Sequence, residues 1–230
     1  MVENQFQWLR PKTILKITKW AIELFIPLSR YLFFLSIILG VYVLAEDYQQ
    51  GEHFKMIFIH VPFAWACMFL YVLVAFSGAL YLFNNHPLLQ ITTNSFSFVG
   101  TLFTLCCLVT GSLWGFPTWG TFWVWDARLT SVLILLFIYL IHQLLIFIQK
   151  DKIASVFSVI GLINLPIIKY SVEWWSTLHQ GASVTQSVNN IHESILLPML
   201  IIFFCLILYA LIMLSLSLRK YINTARSHLL

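Results

Sequence analysis

Six long apolar stretches decide what this chain can become. Their approximate limits are Leu24–Ala45, Met56–Phe83, Ser95–Gly115, Leu129–Ile148, Ile153–Trp174 and Ile195–Leu218. Each is close to the roughly 20 residues a helix needs to cross a bilayer. Inside lipid a backbone N–H or C=O finds no water, so hydrogen bonds within a helix are the economical solution. Composition agrees: 60% of residues are hydrophobic and 10% charged, against about a quarter charged in a typical soluble domain. A formal charge of +4 is too small and too scattered to suggest nucleic acid. The expected fold is all-α, a polytopic membrane protein with six transmembrane helices. No Gly/Ser-rich linker or charged tail interrupts the runs, so residues 1–230 read as one integral-membrane domain.

Val43-Leu44-Ala45 before Glu46 resembles a cleavage site. About thirty residues with scattered Lys and Arg precede Tyr31, however, which is long for a signal-peptide n-region. The first run is expected to stay as an uncleaved span. The stretch Arg10–Trp20 is basic and partly apolar, and is expected to lie on the inner membrane surface. Arg30 falls inside the first span, where snorkelling to the inner interface or pairing with Glu23 accounts for it. Four cysteines (Cys67, Cys106, Cys107 and Cys205) sit inside apolar runs without C-x-x-C spacing and read as small buried hydrophobes.

Lys and Arg set the expected orientation. Arg10, Lys12, Lys16 and Lys19 precede the first span, Lys150 and Lys152 separate spans four and five, and Arg219, Lys220 and Arg226 follow the sixth. The alternate loops carry Lys55, Arg128 and Lys169 among several acids. Both termini are thus expected in the cytoplasm, with Glu46–Lys55, Trp114–Arg128 and Trp175–Ser194 facing outward.

The outer loop 114–128 holds four of the nine tryptophans: Trp114, Trp119, Trp123 and Trp125. An aromatic belt at headgroup level is the ordinary explanation of interfacial Trp. A belt populates both interfaces, whereas the cytoplasmic loops between spans contain no Trp. The density here points to a platform for a flat apolar ligand. With a helical turn or two after Pro117, Trp119, Phe122, Trp123 and Asp126 would share one face. Trp174 and Trp175 add a second aromatic pair at the end of span five.

Seven histidines need sorting. His86 and His228 read as solvated, His53 and His192 as outer-loop residues, and His142 as a satisfied helix-packing group. His60 lies about five residues beyond Lys55, roughly 7–8 Å below the outer end of span two, with Pro62 loosening the helix nearby. His179 follows Glu173-Trp174-Trp175 in the last outer loop; if that stretch is helical, Trp175 is its i,i+4 neighbour. Two imidazoles beside an aromatic surface can hold a metalloporphyrin. Arg128, Lys55 and Lys169 are the cations available for its carboxylates, Arg128 first, with pairing to Asp126 as the rival use.

Trp-Gly-Thr-Phe-Trp-Val-Trp-Asp at positions 119–126 resembles the tryptophan-rich WWD motif of haem-handling proteins. Its continuation Ala127-Arg128-Leu129-Thr130-Ser131 resembles the CcmC branch of the cytochrome c maturation system. So do Asp47-Tyr48-Gln49-Gln50-Gly51, His60-Val61-Pro62, and the run from Asn164-Leu165-Pro166 through Ser171-Val172-Glu173-Trp174-Trp175-Ser176-Thr177-Leu178-His179-Gln180-Gly181. The resemblance implies a multi-pass protein of the bacterial inner membrane whose functional face is periplasmic. It implies transient, non-covalent binding of haem b with His60 and His179 as axial ligands. The platform then maps onto Trp114, Trp119, Trp123, Trp125 and Asp126, with Phe122 where the family often has Trp. It further implies delivery to the haem chaperone CcmE for c-type cytochrome biogenesis, alongside the ABC-transporter components CcmA and CcmB and the small protein CcmD. Such a protein hands haem over rather than catalysing a reaction. A haem permease is the main competing reading. A cytochrome b-like electron-transfer subunit is a poorer one, because His179 lies outside any span.

Overall fold

The computed structural model describes residues 10–42, 50–179 and 192–227. The helices are α1 (Pro11–Ile37), α2 (Ile57–Asn84), α3 (Pro87–Trp119), α4 (Ala127–Phe147), α5 (Asp151–Ile160), α6 (Asn164–Trp174) and α7 (Glu193–Ser227). A short 3₁₀ turn, Glu52–Met56, leads into α2, and another, Gly161–Ile163, joins α5 to α6. Among the described residues six stretches are long and apolar enough to cross a membrane, α5 and α6 together making the fifth. Large apolar side chains cover the outside of the bundle, Phe76, Phe83 and Phe147 among them. That is stable only against lipid or another apolar surface.

Local chemistry sets the reversals. Asn85, with φ 48°, ends α2, and Pro87 opens α3 at its first position with the His86 imidazole capping Leu88 N–H. Pro is tolerated there because the first N–H groups of a helix have no internal partner. Gly120 ends α3 at φ 75°, a left-handed conformation that glycine adopts without penalty. Asp126 then caps α4, its Oδ1 accepting from Leu129 N–H at 2.7 Å.

The core lies between α2, α3, α4 and α6, around Leu70, Tyr71, Val74, Val99, Leu135, Tyr139 and Ile168. Two tyrosines fill its centre edge-on, 5.0 Å apart. Tyr71 Oη donates to the Ser158 carbonyl at 3.0 Å and Tyr139 Oη to the Cys67 carbonyl at 2.8 Å, so neither hydroxyl is an unpaired group in an apolar interior. Gly161 and Gly100 leave the space these rings occupy.

Two expectations change. The segment Arg10–Trp20 is no separate surface helix: α1 starts at Pro11 and runs unbroken into the span. Ile14, Thr18 and Ala21 are buried, and Arg219 Nη1 of α7 donates to the Leu15 carbonyl at 2.8 Å. Packing against α7 thus overrides its amphipathic preference for an interface. His142 is buried, 1% exposed, but not satisfied: neither ring nitrogen has a partner, nor does Ser97 Oγ, among the described residues.

Candidate functional site

Five elements converge at one end of the bundle: the start of α2, the end of α3, the loop to α4, the start of α4 and the residues after α6. His60 sits one turn into α2. Its Nδ1 lies 3.1 Å from the Cys107 carbonyl and 3.3 Å from Thr110 Oγ1, both on α3. The carbonyl can only accept, so Nδ1 carries the proton and Nε2 keeps its lone pair. Gly111 makes this approach possible; a Cβ there would stand 2.8 Å from His60 Cε1. Trp114 meets the ring edge-on at 5.8 Å, and its indole N–H donates to Gln50 Oε1 at 3.0 Å.

His179 follows α6 by a few residues. Its Nδ1 lies 3.4 Å from Asp126 Oδ2, a long contact in which the acceptor-only carboxylate again assigns the proton to Nδ1. Asp126 therefore does two things at once, one oxygen capping α4 and the other orienting His179. Burial holds His179 below the usual histidine range; the Asp126 carboxylate opposes this and the Arg128 cation adds to it. At neutral pH the ring is uncharged. Trp119 rests edge-on against it at 5.3 Å.

Between the two imidazoles lies a cavity of about 80 Å³ that widens into open space at its mouth. His60, His179, Trp119, Trp123 and Arg128 line it, over a floor that includes Cys67, Cys107 and Ile168. The Arg128 guanidinium is steadied by Ser171 Oγ at 2.9 Å and the Lys169 carbonyl at 3.3 Å, while its side chain still borders the cavity. Trp123 Nε1 is buried without a hydrogen-bond partner among the described residues.

The remaining sequence-predicted residues lie elsewhere. Trp114 and Asp126 stand one layer back, holding the histidines. Phe122 stacks on Phe116 at 4.4 Å and Trp125 meets Trp123 edge-on at 5.5 Å, both facing outward. Lys55 pairs with Glu52 at 2.6 Å and Lys169 lies 5.4 Å over the Tyr170 ring. Trp174 stacks on Tyr170, and Trp175 on the exposed side touches Trp174 rather than His179, because α6 ends before a further turn could bring Trp175 and His179 together. The single helical face expected for Trp119, Phe122, Trp123 and Asp126 is also absent. Gly120 stops the helix, and the chain beyond it returns Trp123 to the cavity by a different path.

Two half-buried imidazoles, flat indoles and a cation thus meet at one cavity. The family described as Heme exporter protein C matches residues 5–229. The chain belongs to this family. A Heme exporter protein C from Haemophilus influenzae is 38% identical over 205 residues, covering 85% of this chain and 82% of that protein. Its counterpart from Bradyrhizobium diazoefficiens is 46% identical over 162 residues, 68% of this chain and 62% of that one. A putative cytochrome c biosynthesis ccmC-like mitochondrial protein of Marchantia polymorpha is 51% identical over 169 residues, 74% of each. Every residue that lines the cavity falls within the family match.

Sequence reasoning missed the residues that hold the others: Gly111, Thr110 and the Cys107 carbonyl for His60, Ser171 for Arg128, and Gln50 for Trp114. Of these only Gly111 carries a local signal, as a glycine inside an apolar helix often marks close approach of a neighbour.

Proposed function

We propose that this member of the Heme exporter protein C family binds haem b transiently and non-covalently in the cavity, with His60 and His179 as axial ligands. It presents the haem at the periplasmic face of the bacterial inner membrane for transfer to the chaperone CcmE, beside CcmA, CcmB and CcmD. The observation that carries this reading is the matched state of the two imidazoles. Each commits Nδ1–H to an oxygen acceptor, leaving the Nε2 lone pair for a metal.

The residues present fit a haem. The cavity walls are mainly apolar, and Trp119 and Trp123 offer flat surfaces for a macrocycle. Arg128 and the unpartnered indole N–H of Trp123 are donors suited to propionate carboxylates. When bound, the iron supplies the coordination chemistry, and the protein's part is to fix ligands, orient the ring and leave one edge accessible. That is handover rather than catalysis. Beneath the cavity Leu70, Tyr71, Leu135 and Tyr139 are fully buried, a packing that favours binding at this end over passage of a macrocycle through the bundle. Cations gathered at the opposite end, Lys16, Lys19, Lys152 and Arg219 among them, support cytoplasmic termini and an outward-facing site.

The test is the visible spectrum of the detergent-purified protein titrated with haem, followed by mixing with purified CcmE. His60→Ala and His179→Ala are each expected to lose the low-spin bis-imidazole bands and the transfer. Wild-type spectra and transfer in both variants would refute the ligand assignment.

A further inference from the structure

Arg30 occupies a position that the haem site does not explain. Two contacts fix the depth of α1 against α7. Arg219 Nη1 reaches the Leu15 carbonyl near the basic end, and Cys205 Sγ lies 3.5 Å from the Ser29 carbonyl. Cys205 is close to the centre of the apolar run Ile195–Leu218, so Arg30 stands at mid-depth. It is eleven residues, roughly 16 Å at 1.5 Å per residue, beyond Lys19, comparable with half the ~30 Å hydrocarbon thickness. That is about three helical turns, farther than an arginine snorkels to reach the headgroups.

Nor does the chain neutralise it. Glu23 pairs with Lys19 at 3.7 Å and lies two turns from Arg30, so the intrahelical pairing is not made. Among the described residues Arg30 has no hydrogen bond or ion pair, and it is exposed. It belongs to the stripe Lys16, Trp20, Glu23, Pro27, Arg30, Phe34, repeating every three or four residues on the side of α1 opposite Ile14, Thr18, Ala21 and Ser36, which are buried. Tyr31 and Phe34 beside Arg30 are 68% and 65% exposed. A transmembrane helix that turns a guanidinium toward lipid at mid-depth is rare, because such charges pair within protein.

We infer that this stripe of α1 is an interface for a transmembrane helix of a different membrane protein that presents an Asp or Glu carboxylate opposite Arg30. A second copy does not meet the requirement. Two copies of the same topology related by a two-fold axis along the membrane normal would set Arg30 against Arg30 at the same depth, doubling the charge instead of cancelling it. The inference does not depend on the haem reading, since α1 contributes nothing to the cavity.

The experiment places the photo-crosslinking residue p-benzoylphenylalanine at Tyr31 of the full chain in native membranes and maps the adduct by mass spectrometry. The expected product joins Tyr31 to a transmembrane segment of another chain within one turn of an Asp or Glu. Arg30→Lys should retain the adduct. Arg30→Glu should lower it about tenfold or more, as breaking a buried charge pair does, and changing the mapped acid to Arg should restore it. Monodisperse elution of each variant in detergent, with unchanged helicity, separates loss of contact from loss of fold. Adducts with lipid alone, with a second copy, or with a segment lacking a carboxylate would overturn the inference, as would failure of the charge swap to restore crosslinking in folded variants.

Discussion

Gly111 lines the cavity without offering a side chain to a ligand, and substituting it by alanine probes how tightly His60 is packed. The added methyl would stand 2.8 Å from His60 Cε1 and 3.2 Å from Nδ1, whereas ordinary contact begins at 3.4 Å. The imidazole must therefore retreat from α3 by about 0.6 Å at least, or α2 and α3 must part. Retreat in that direction stretches the 3.1 Å bond from Nδ1 to the Cys107 carbonyl, which lies one turn away on the same helix, past the range in which N–H···O bonds hold. Overpacking of this kind costs about 1–3 kcal/mol of stability. Loss of an orienting partner lowers metal affinity by about 10–100-fold. Gly111→Ala should then weaken haem binding by about that factor while Nε2 remains present, read by absorbance titration, and should lower the thermal midpoint. A double variant gives the decisive control. With His60→Ala already in place the methyl has nothing to strike, so adding Gly111→Ala should bring no further destabilisation. Haem affinity like that of the wild type in Gly111→Ala, or additive losses in the double variant, would refute the close-packing argument.

Three further outcomes follow from the same geometry. Burial keeps His179 neutral below the usual histidine range. Its imidazole is thus available at pH 7, and haem retention should stay level through the ordinary histidine range and drop only at lower pH, as the ring protonates. The same depressed folded value means its contribution to stability is lost as pH falls below that of the unfolded chain; Asp126→Asn, removing the carboxylate that favours the proton, should move the drop in retention to lower pH. Trp123→Ala should cut haem occupancy severalfold, whereas Trp125→Ala, at 76% exposure and outside the cavity lining, should leave it near wild type; equal losses would contradict the division of the loop. His142→Leu removes a buried ring with two unpartnered nitrogens and should be neutral or stabilising by up to about 1–2 kcal/mol, measured by thermal unfolding in detergent, a marked loss showing instead that the ring has a partner.

The six spans were legible because crossing a bilayer demands apolar length, and length survives any error in packing. Their ends were less so. α3 reaches Trp119, beyond the drawn limit at Gly115, because Pro117 in the last turn forfeits one hydrogen bond without forcing the chain out of the helix. Gly120 looked like one more residue of an aromatic run, and its positive φ is what separates Trp119 from Phe122. Charge and histidine position placed His60 and His179 at one end of the bundle. The partners that choose their tautomers lie 47 and 53 positions away, and no local pattern encodes contacts of that separation. Arg128 shows the limit from the other side. Pairing with Asp126 was its natural rival use, yet Ser171 and the Lys169 carbonyl hold it, because Asp126 is already occupied by Leu129 N–H and His179.

The two histidines proposed as ligands are not held alike, and the difference bears on how a cargo could leave. His60 is embedded in a 28-residue helix, tied to α3 by the Cys107 carbonyl and Thr110 and pressed against Gly111. Moving it means moving α2 against its closest neighbour. His179 stands beyond the end of α6, held by one 3.4 Å contact to Asp126 and an edge-on Trp119. Rotating that ring away breaks a long hydrogen bond, of the order of 1 kcal/mol, and disturbs no helix packing. An incoming ligand from an acceptor can therefore replace His179 at far less cost than His60. Exchange at one axial position with the other kept is the order of events a handover requires, since losing both at once would release haem into the membrane.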